Sequence, residues 1–261
     1  MTQTPATPEL PPLVGHTEKA MGTVFSFSLV PGGLPQQVWR NAVTAACLLL
    51  HETDMHYSTW DGASPLSRYR RGEVTAAQMP GDFAEVRAEC EAAIQASGGW
   101  FDPWAMPGGF DPTGLVKGWA VERALAVLRD AGVPAALVNG GGDVATYGCL
   151  PSGHPWRVGI QHPWRPHALA CVIETTACVA TSGSYERGPH LIDPRTSRPA
   201  TMAASATVTG PHLALADALA TALAVAGDQV LPLICAVPGY EAYLIRPDGT
   251  ETDTGGITFA A

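Results

Sequence analysis

Charge is scarce in this chain. Asp, Glu, Lys and Arg make up 15% of 261 residues, and aromatics only 7%. Basic residues are the scarcer sign: 15 Lys and Arg stand against 24 Asp and Glu, a formal net charge of −9. A nucleic-acid binder needs a basic face to neutralise phosphates, so that class is disfavoured. Nowhere do the roughly 18–20 apolar residues of a membrane span run together. The opening stretch, MTQTPATPELPPLVGHTEKA, has no basic start followed by an apolar segment, so no secretory signal is visible and a cytoplasmic setting is expected. The six cysteines form no CxxC pair. In a chain with its own core they read as buried small hydrophobes in a reducing compartment, not as a disulfide framework. Neither GxGxxG nor GxSxG occurs, which removes the Rossmann fingerprint and the hydrolase elbow. No repeat of 20–50 residues is visible.

What is present is apolar material and turn formers. Hydrophobic residues reach 46%, enough for a large core, and 28 Gly with 23 Pro imply many tight loops. Residues 1–17, dominated by Pro and Thr, read as a disordered arm. MGTVFSFSLV at 21–30 reads as a strand, and Gln36 to about His56 as a helix. Asp82 is placed to cap a helix running to Ala96, with Gly98 just past its end. Residues 115–132 form a further helix, and Ala135–Val138 a short buried strand entering Asn139-Gly140-Gly141-Gly142-Asp143. Strands follow Pro155. The spacing then predicts a helix over about His212–Ala226, a short one near 228–236, and a hairpin at Pro247-Asp248-Gly249. Helical and antiparallel stretches are separated, so the expected fold is α+β, one domain over 18–261 with two lobes.

Four constellations could carry chemistry. Asp111, Thr113 and Gly114 precede a helix with Lys117 in its first turn, an arrangement suited to a phosphate. An ordinary capped helix start with a solvated lysine accounts for it as well. The three glycines at 140–142 permit positive φ or close ligand approach, or simply turn one strand into the next. The stretch 180–199 crowds Ser182, Ser184, Tyr185, His190, Asp193 and Arg195 together, and a His beside an Asp and hydroxyls can act as a general base. Asp217 interrupts an apolar helix with Thr221 one turn later, and such a pair of oxygens suits a hard cation. A partly exposed Asp at a helix edge is the competing reading. Trp100, Trp104 and Trp119 could stack on an aromatic ligand or pack at a rim.

Their order is more specific than any one of them. Met21-Gly22-Thr23, STWDGASPLSR at 58–68, DPTGLVKGWA at 111–120, NGGGD at 139–143, ATSGSY at 180–185, HLIDPRT at 190–196 and ADALATA at 216–222 together resemble the ApbE family, the FAD:protein FMN transferases, over about residues 20–245. The resemblance implies an α+β fold holding a flavin in a cleft between two lobes. It implies binding of FAD and Mg²⁺, and transfer of the FMN moiety to a Thr or Ser hydroxyl of an acceptor protein with release of AMP. Carried over by motif, Met21 and Trp60 (where the family often has Tyr) flank the flavin, and Asp111, Lys117 and Ile192 contact the FAD. Gly114 through its carbonyl, Asp217 and Thr221 hold the metal, and His190 is the general base. Ser197 replaces the glycine usual after DPRT, and no acceptor motif of the family's Asp-rich type occurs in the chain itself. Two other functions fit the same residues: a Mg²⁺-dependent FAD pyrophosphatase giving FMN and AMP, and a non-catalytic FAD-binding protein.

Overall fold

A computed structural model describes residues 13–183 and 191–260. Among them an eight-stranded antiparallel sheet forms the centre. Its strands are β1 (Val14–Ala20), β2 (Thr23–Val30), β3 (Ala135–Gly140), β4 (Val144–Tyr147), β7 (Cys178–Ser182), β10 (Ser205–Gly210), β11 (Glu241–Ile245) and β12 (Glu251–Asp253), in that spatial order. Two hairpins stand apart from it: β5 (Trp156–Gln161) with β6 (Leu169–Thr175), and β8 (Ile192–Asp193) with β9 (Arg198–Pro199). The helices are α1 (Gln36–Tyr57), α2 (Pro65–Arg70), α3 (Phe83–Ala96), α4 (Thr113–Asp130), α5 (Leu213–Ala226) and α6 (Leu231–Cys235). This is the α+β architecture expected.

Strand alternation builds two cores. Phe25, Phe27 and Leu29 of β2, Ala136 and Val138 of β3, Ala180 of β7 and Leu244 of β11 face the helices. Their neighbours Val144, Val179, Tyr243 and Ile245 face the opposite way, onto Val158, Ile160 and Ile173 of the β5–β6 hairpin. The period-2 pleat thus lets one sheet be covered on both sides.

Helix α5 is apolar nearly all round, and all of its residues except Leu215 and Thr221 are buried, as a helix without a polar face must be. Its first turn has no side-chain cap of its own. Glu122 of α4 supplies one, accepting from the Ala214 N–H at 3.1 Å and lying 3.3 Å from His212 Nδ1. The two helices meet at Gly118. A Cβ there would lie 2.7 Å from the Leu213 carbonyl oxygen and 3.0 Å from Asp217 Cβ. Gly118→Ala should therefore force α4 and α5 apart and cost about 1–3 kcal/mol of stability, read from urea unfolding. An unchanged unfolding midpoint would show that the contact is slack.

Several sequence expectations need correction. Strand β1 starts at Val14, inside the segment read as an arm to residue 17, because Val14–Ala20 pairs in full register with Leu29–Thr23. Residues 1–12 of that segment lie outside the described residues. Helix α2, with Ser64 capping the Ser67 N–H at 3.0 Å and Pro65 in its first turn, was hidden behind a turn-rich composition. Asp82 stands at the start of α3 but makes no cap bond. Its carboxylate accepts from the Tyr57 hydroxyl at 2.8 Å instead. The cysteines are all free, and Cys47, Cys90 and Cys178 are buried as expected, but Cys149 and Cys235 are exposed.

Candidate active site

A cleft of ≈ 830 Å³ opens where α1, α4 and α5 come together below the β8–β9 hairpin. That is ample for a dinucleotide-sized ligand. Met21, Trp60, Asp111, Gly114, Lys117, Ile192, Asp217 and Thr221 all line it. Residues scattered over two hundred positions of sequence thus share one cavity. His190 lies outside the described residues, as do Ser184 and Tyr185.

Each wall has a local cause. Met21 and Gly22 form the two-residue turn between β1 and β2, with φ of 50° and 68°. Positive φ at both positions is the type I′ form of a two-residue hairpin, which Asn at the first position tolerates far better than Met. The Met21 N–H is held by Asp54 Oδ2 at 2.7 Å, and this pins the strained residue to α1. Trp60, 97% exposed, stands at the open rim, where a flat ligand could cover it. On the other side, Asp193 spends its carboxylate on its own turn, accepting from the Arg195 N–H at 2.8 Å and the Thr196 hydroxyl at 3.0 Å. Ser197 takes φ 54°, the left-handed value that explains why a glycine suits this position. Arg195 then lies over Trp100, its guanidinium carbon 3.4 Å from the ring centroid. Trp119 and Trp104 serve packing: Trp119 donates to Glu85 at 2.8 Å, and Trp104 packs against Phe110 with the rings tilted by 45°.

At the deep end, α4 begins irregularly. Gly114 has φ −81° and ψ 16°, off the helical values. The Gly118 N–H, which a regular helix would aim at the Gly114 carbonyl, donates to Asp217 Oδ2 at 3.1 Å. A Cβ on Gly114 would lie 3.2 Å from Thr221 Oγ1, so the backbone of Gly114 and the hydroxyl of Thr221 are close neighbours. Ser182 Oγ adds another oxygen, 3.4 Å from Thr221 Oγ1.

Sequence reading missed Asp143. It is fully buried, and Lys117 Nζ lies 2.7 Å from its Oδ2. Lys117 is therefore not a solvated lysine at a helix start; its ammonium is drawn across to the end of the glycine turn, where Gly141 and Gly142 take φ of 65° and 96°. The available signal was an acidic residue directly after that turn, at the mouth of a buried strand. Arg70 was missed as well. It donates to Asp111 Oδ2 at 3.2 Å, while Asp111 Oδ1 accepts from Thr113.

Asp143 and Asp217 lie against one another with a single lysine beside them. Burial, then the Asp143 charge, pushes Asp217 up to about 8. Burial raises Asp143 too, against the pull of Lys117. Unfolded, Asp217 would ionise near pH 4. The folded metal-free chain thus holds a proton the unfolded chain has lost, and its stability falls as pH rises from about 4 to about 8. Thermal melts of metal-free protein should show that decline, and Asp217→Asn should flatten it. A melting temperature that climbs through the window would contradict the shared proton.

A family model described as "ApbE family" matches residues 106–244, more than half of the chain. The chain belongs to the ApbE family. The matched segment holds Asp111, Gly114, Lys117, Asp143, Ile192, Asp217 and Thr221, whereas Met21 and Trp60 precede it. Among curated relatives of this ApbE chain, the FAD:protein FMN transferase of Rhodobacter capsulatus is 40% identical over 144 residues, covering 51% of this chain and 27% of that protein. That of Salmonella typhimurium is 31% identical over 144 residues, covering 51% and 41%. The alignments thus span well under half the length of these relatives. Among solved structures, the apo form of Pseudomonas stutzeri flavinyl transferase ApbE superposes with TM-score 0.78 at 24% identity, over 94% of this chain and 95% of that one. The flavin transferase ApbE from Vibrio cholerae does so with TM-score 0.76 at 20% identity, over 96% and 98%. These similarities establish the fold.

Proposed function

We propose that this chain is a Mg²⁺-dependent FAD:protein FMN transferase, moving the FMN moiety of FAD onto a Thr or Ser hydroxyl of an acceptor protein and releasing AMP. One observation carries the reading: Gly114, Lys117, Asp217 and Thr221 converge at one end of a cleft whose rim is Met21 and Trp60.

The donor set suits Mg²⁺. Carboxylate, hydroxyl and carbonyl oxygens are hard ligands, and once the proton shared by the two adjacent buried carboxylates is displaced, the pair with its one lysine leaves a negative charge for a divalent cation to balance. Asp217, Thr221 and the Gly114 carbonyl would hold it, with Ser182 in reach. Bound there, the ion would neutralise charge on the diphosphate of FAD. Lys117, fixed by Asp143, would add a positive charge at the same place. Trp60 and Met21 would sandwich the isoalloxazine, and Asp111 and Ile192 would touch the rest of the dinucleotide. The acceptor hydroxyl oxygen then forms a bond to the FMN-side phosphorus, the bond to the AMP oxygen breaks, and His190 takes the hydroxyl proton. No described helix is long and apolar enough to cross a membrane. The partners required are FAD and an acceptor protein.

Incubation with FAD, Mg²⁺ and proteins of the same cell should leave flavin fluorescence on a band in a denaturing gel. Rapid AMP release with no labelled band would instead identify a pyrophosphatase, and tight FAD binding without AMP a non-catalytic carrier. The strained turn gives a second check. Met21→Asn relieves the positive φ and should stabilise the chain by about 0.5–1 kcal/mol. It removes the apolar contact, so FAD affinity should fall by about tenfold. Unaltered affinity would take Met21 off the flavin.

A further inference from the structure

A second cluster of ligating side chains lies where β1 crosses α1, on residues the proposed transfer does not use. His16 and Glu18 alternate along β1 and so point to the same face. Cys47 and His51 are one turn apart on α1 and share a stripe. The ligating atoms of His16, Glu18 and Cys47 all lie within 4.8 Å of one another. His51 Nε2 is 3.1 Å from Glu18 Oε1, and His16 Nε2 is 3.6 Å from Glu18 Oε2. We infer that His16, Glu18, Cys47 and His51 form a binding site for a zinc-class divalent ion.

The chemistry selects that class. Two imidazoles, one carboxylate and one thiolate are a four-donor, borderline-soft set, the kind that takes Zn²⁺ or Co²⁺ in tetrahedral geometry and that Mg²⁺ and Ca²⁺ avoid. Bond lengths of about 2.0–2.3 Å place tetrahedral donors roughly 3.5 Å apart, so the His16, Glu18 and Cys47 donors, now within 4.8 Å of one another, need a modest contraction, and His51, now held by Glu18, must turn in as the fourth donor. The imidazoles keep 42% and 46% of their surface, so an ion can enter from solvent. The sulfur is buried, so the thiolate side of the site is shielded from water. The ring of His16 rests against Phe27, centroids 5.8 Å apart, which limits its freedom. Zinc-class ions bind cysteine as the thiolate, so binding would release the Cys47 proton. An ion here would fasten β1 to α1, one strand end away from Met21, whose N–H the same helix already holds through Asp54. The inference does not depend on the transferase reading, because the oxygen donors for Mg²⁺ sit on α4, α5 and β7.

The experiment is a Co²⁺ titration of the full chain carrying Cys149→Ser and Cys235→Ser, which removes the exposed thiols. One cobalt per chain should bind at micromolar concentration. It should show a thiolate-to-cobalt charge-transfer band and the intense visible bands of a tetrahedral ion, both displaced by zinc. Cys47→Ser should abolish the charge-transfer band. His51→Gln, a change on an exposed side chain that leaves packing intact, should weaken binding by more than the roughly 10–100-fold that an outer-shell partner is worth. Asp217→Asn should leave the spectrum unchanged. The inference fails if no stoichiometric cobalt binds, if the spectrum is the pale one of an octahedral ion without charge transfer, or if the bands survive His51→Gln at full affinity.

Discussion

Asp217→Ala should lower Mg²⁺-dependent release of AMP from FAD by at least about 10³-fold in kcat/KM, the several kcal/mol that charge neutralisation by a metal supplies. The chain should remain folded. Asp143 keeps Lys117 at 2.7 Å, and the Gly118 N–H loses one acceptor, a cost of about 1 kcal/mol. Against that cost stands the removal of a carboxylate whose ionisation the interior resists, since burial raises it to about 8. Above that value the variant should melt no lower than the metal-free parent. Mg²⁺ should raise the melting temperature of the parent and leave that of the variant unchanged, a difference that calorimetry measures without any turnover. Turnover that persists undiminished would remove Asp217 from the metal, and with it the reason for its burial.

His190→Ala should cut transfer to the acceptor by about 10²–10⁴-fold, the range typical of a positioned general base, with FAD affinity changed by less than about threefold. The acceptor hydroxyl is a weak nucleophile, and its proton must leave as the oxygen–phosphorus bond forms. Transfer rates and FAD binding measured on the same preparation separate the roles. Equal losses in both would make His190 a binding residue. His190 lies outside the described residues, so this role rests on its place in the HLIDPRT motif and on the described Ile192 beside the cleft. The contrast between the variants is informative in itself: Asp217→Ala should damage metal binding and chemistry together, and His190→Ala chemistry alone.

Local pattern was enough wherever chemistry and conformation depended on near neighbours. The strand at 23–30, the helices over 36–57 and 213–226, and the hairpin near Pro247-Asp248-Gly249 follow from periodicity and turn residues. That Asp217 and Thr221 act together was readable because a carboxylate in an apolar helix is costly without a partner and their spacing puts both on one face; the structure places both in the cleft wall. Helix α2 was not legible, since its six residues are too few for a period and its stability comes from Ser64 and from packing. Asp143 was passed over because its meaning depends on Lys117, 26 positions earlier in the chain and 2.7 Å away in space.

Composition and periodicity alone therefore determined an acidic α+β chain with helices and antiparallel strands in a known order, and the motif series named its family. Only the tertiary structure decided that Lys117 belongs to Asp143, that the start of α4 departs from the helix at Gly114, and that His16 and Glu18 face Cys47 and His51. The reason is physical. Backbone preference acts over a few residues, whereas a buried charge is stabilised by whatever the fold carries to within about 3 Å of it, and sequence separation places no limit on that distance.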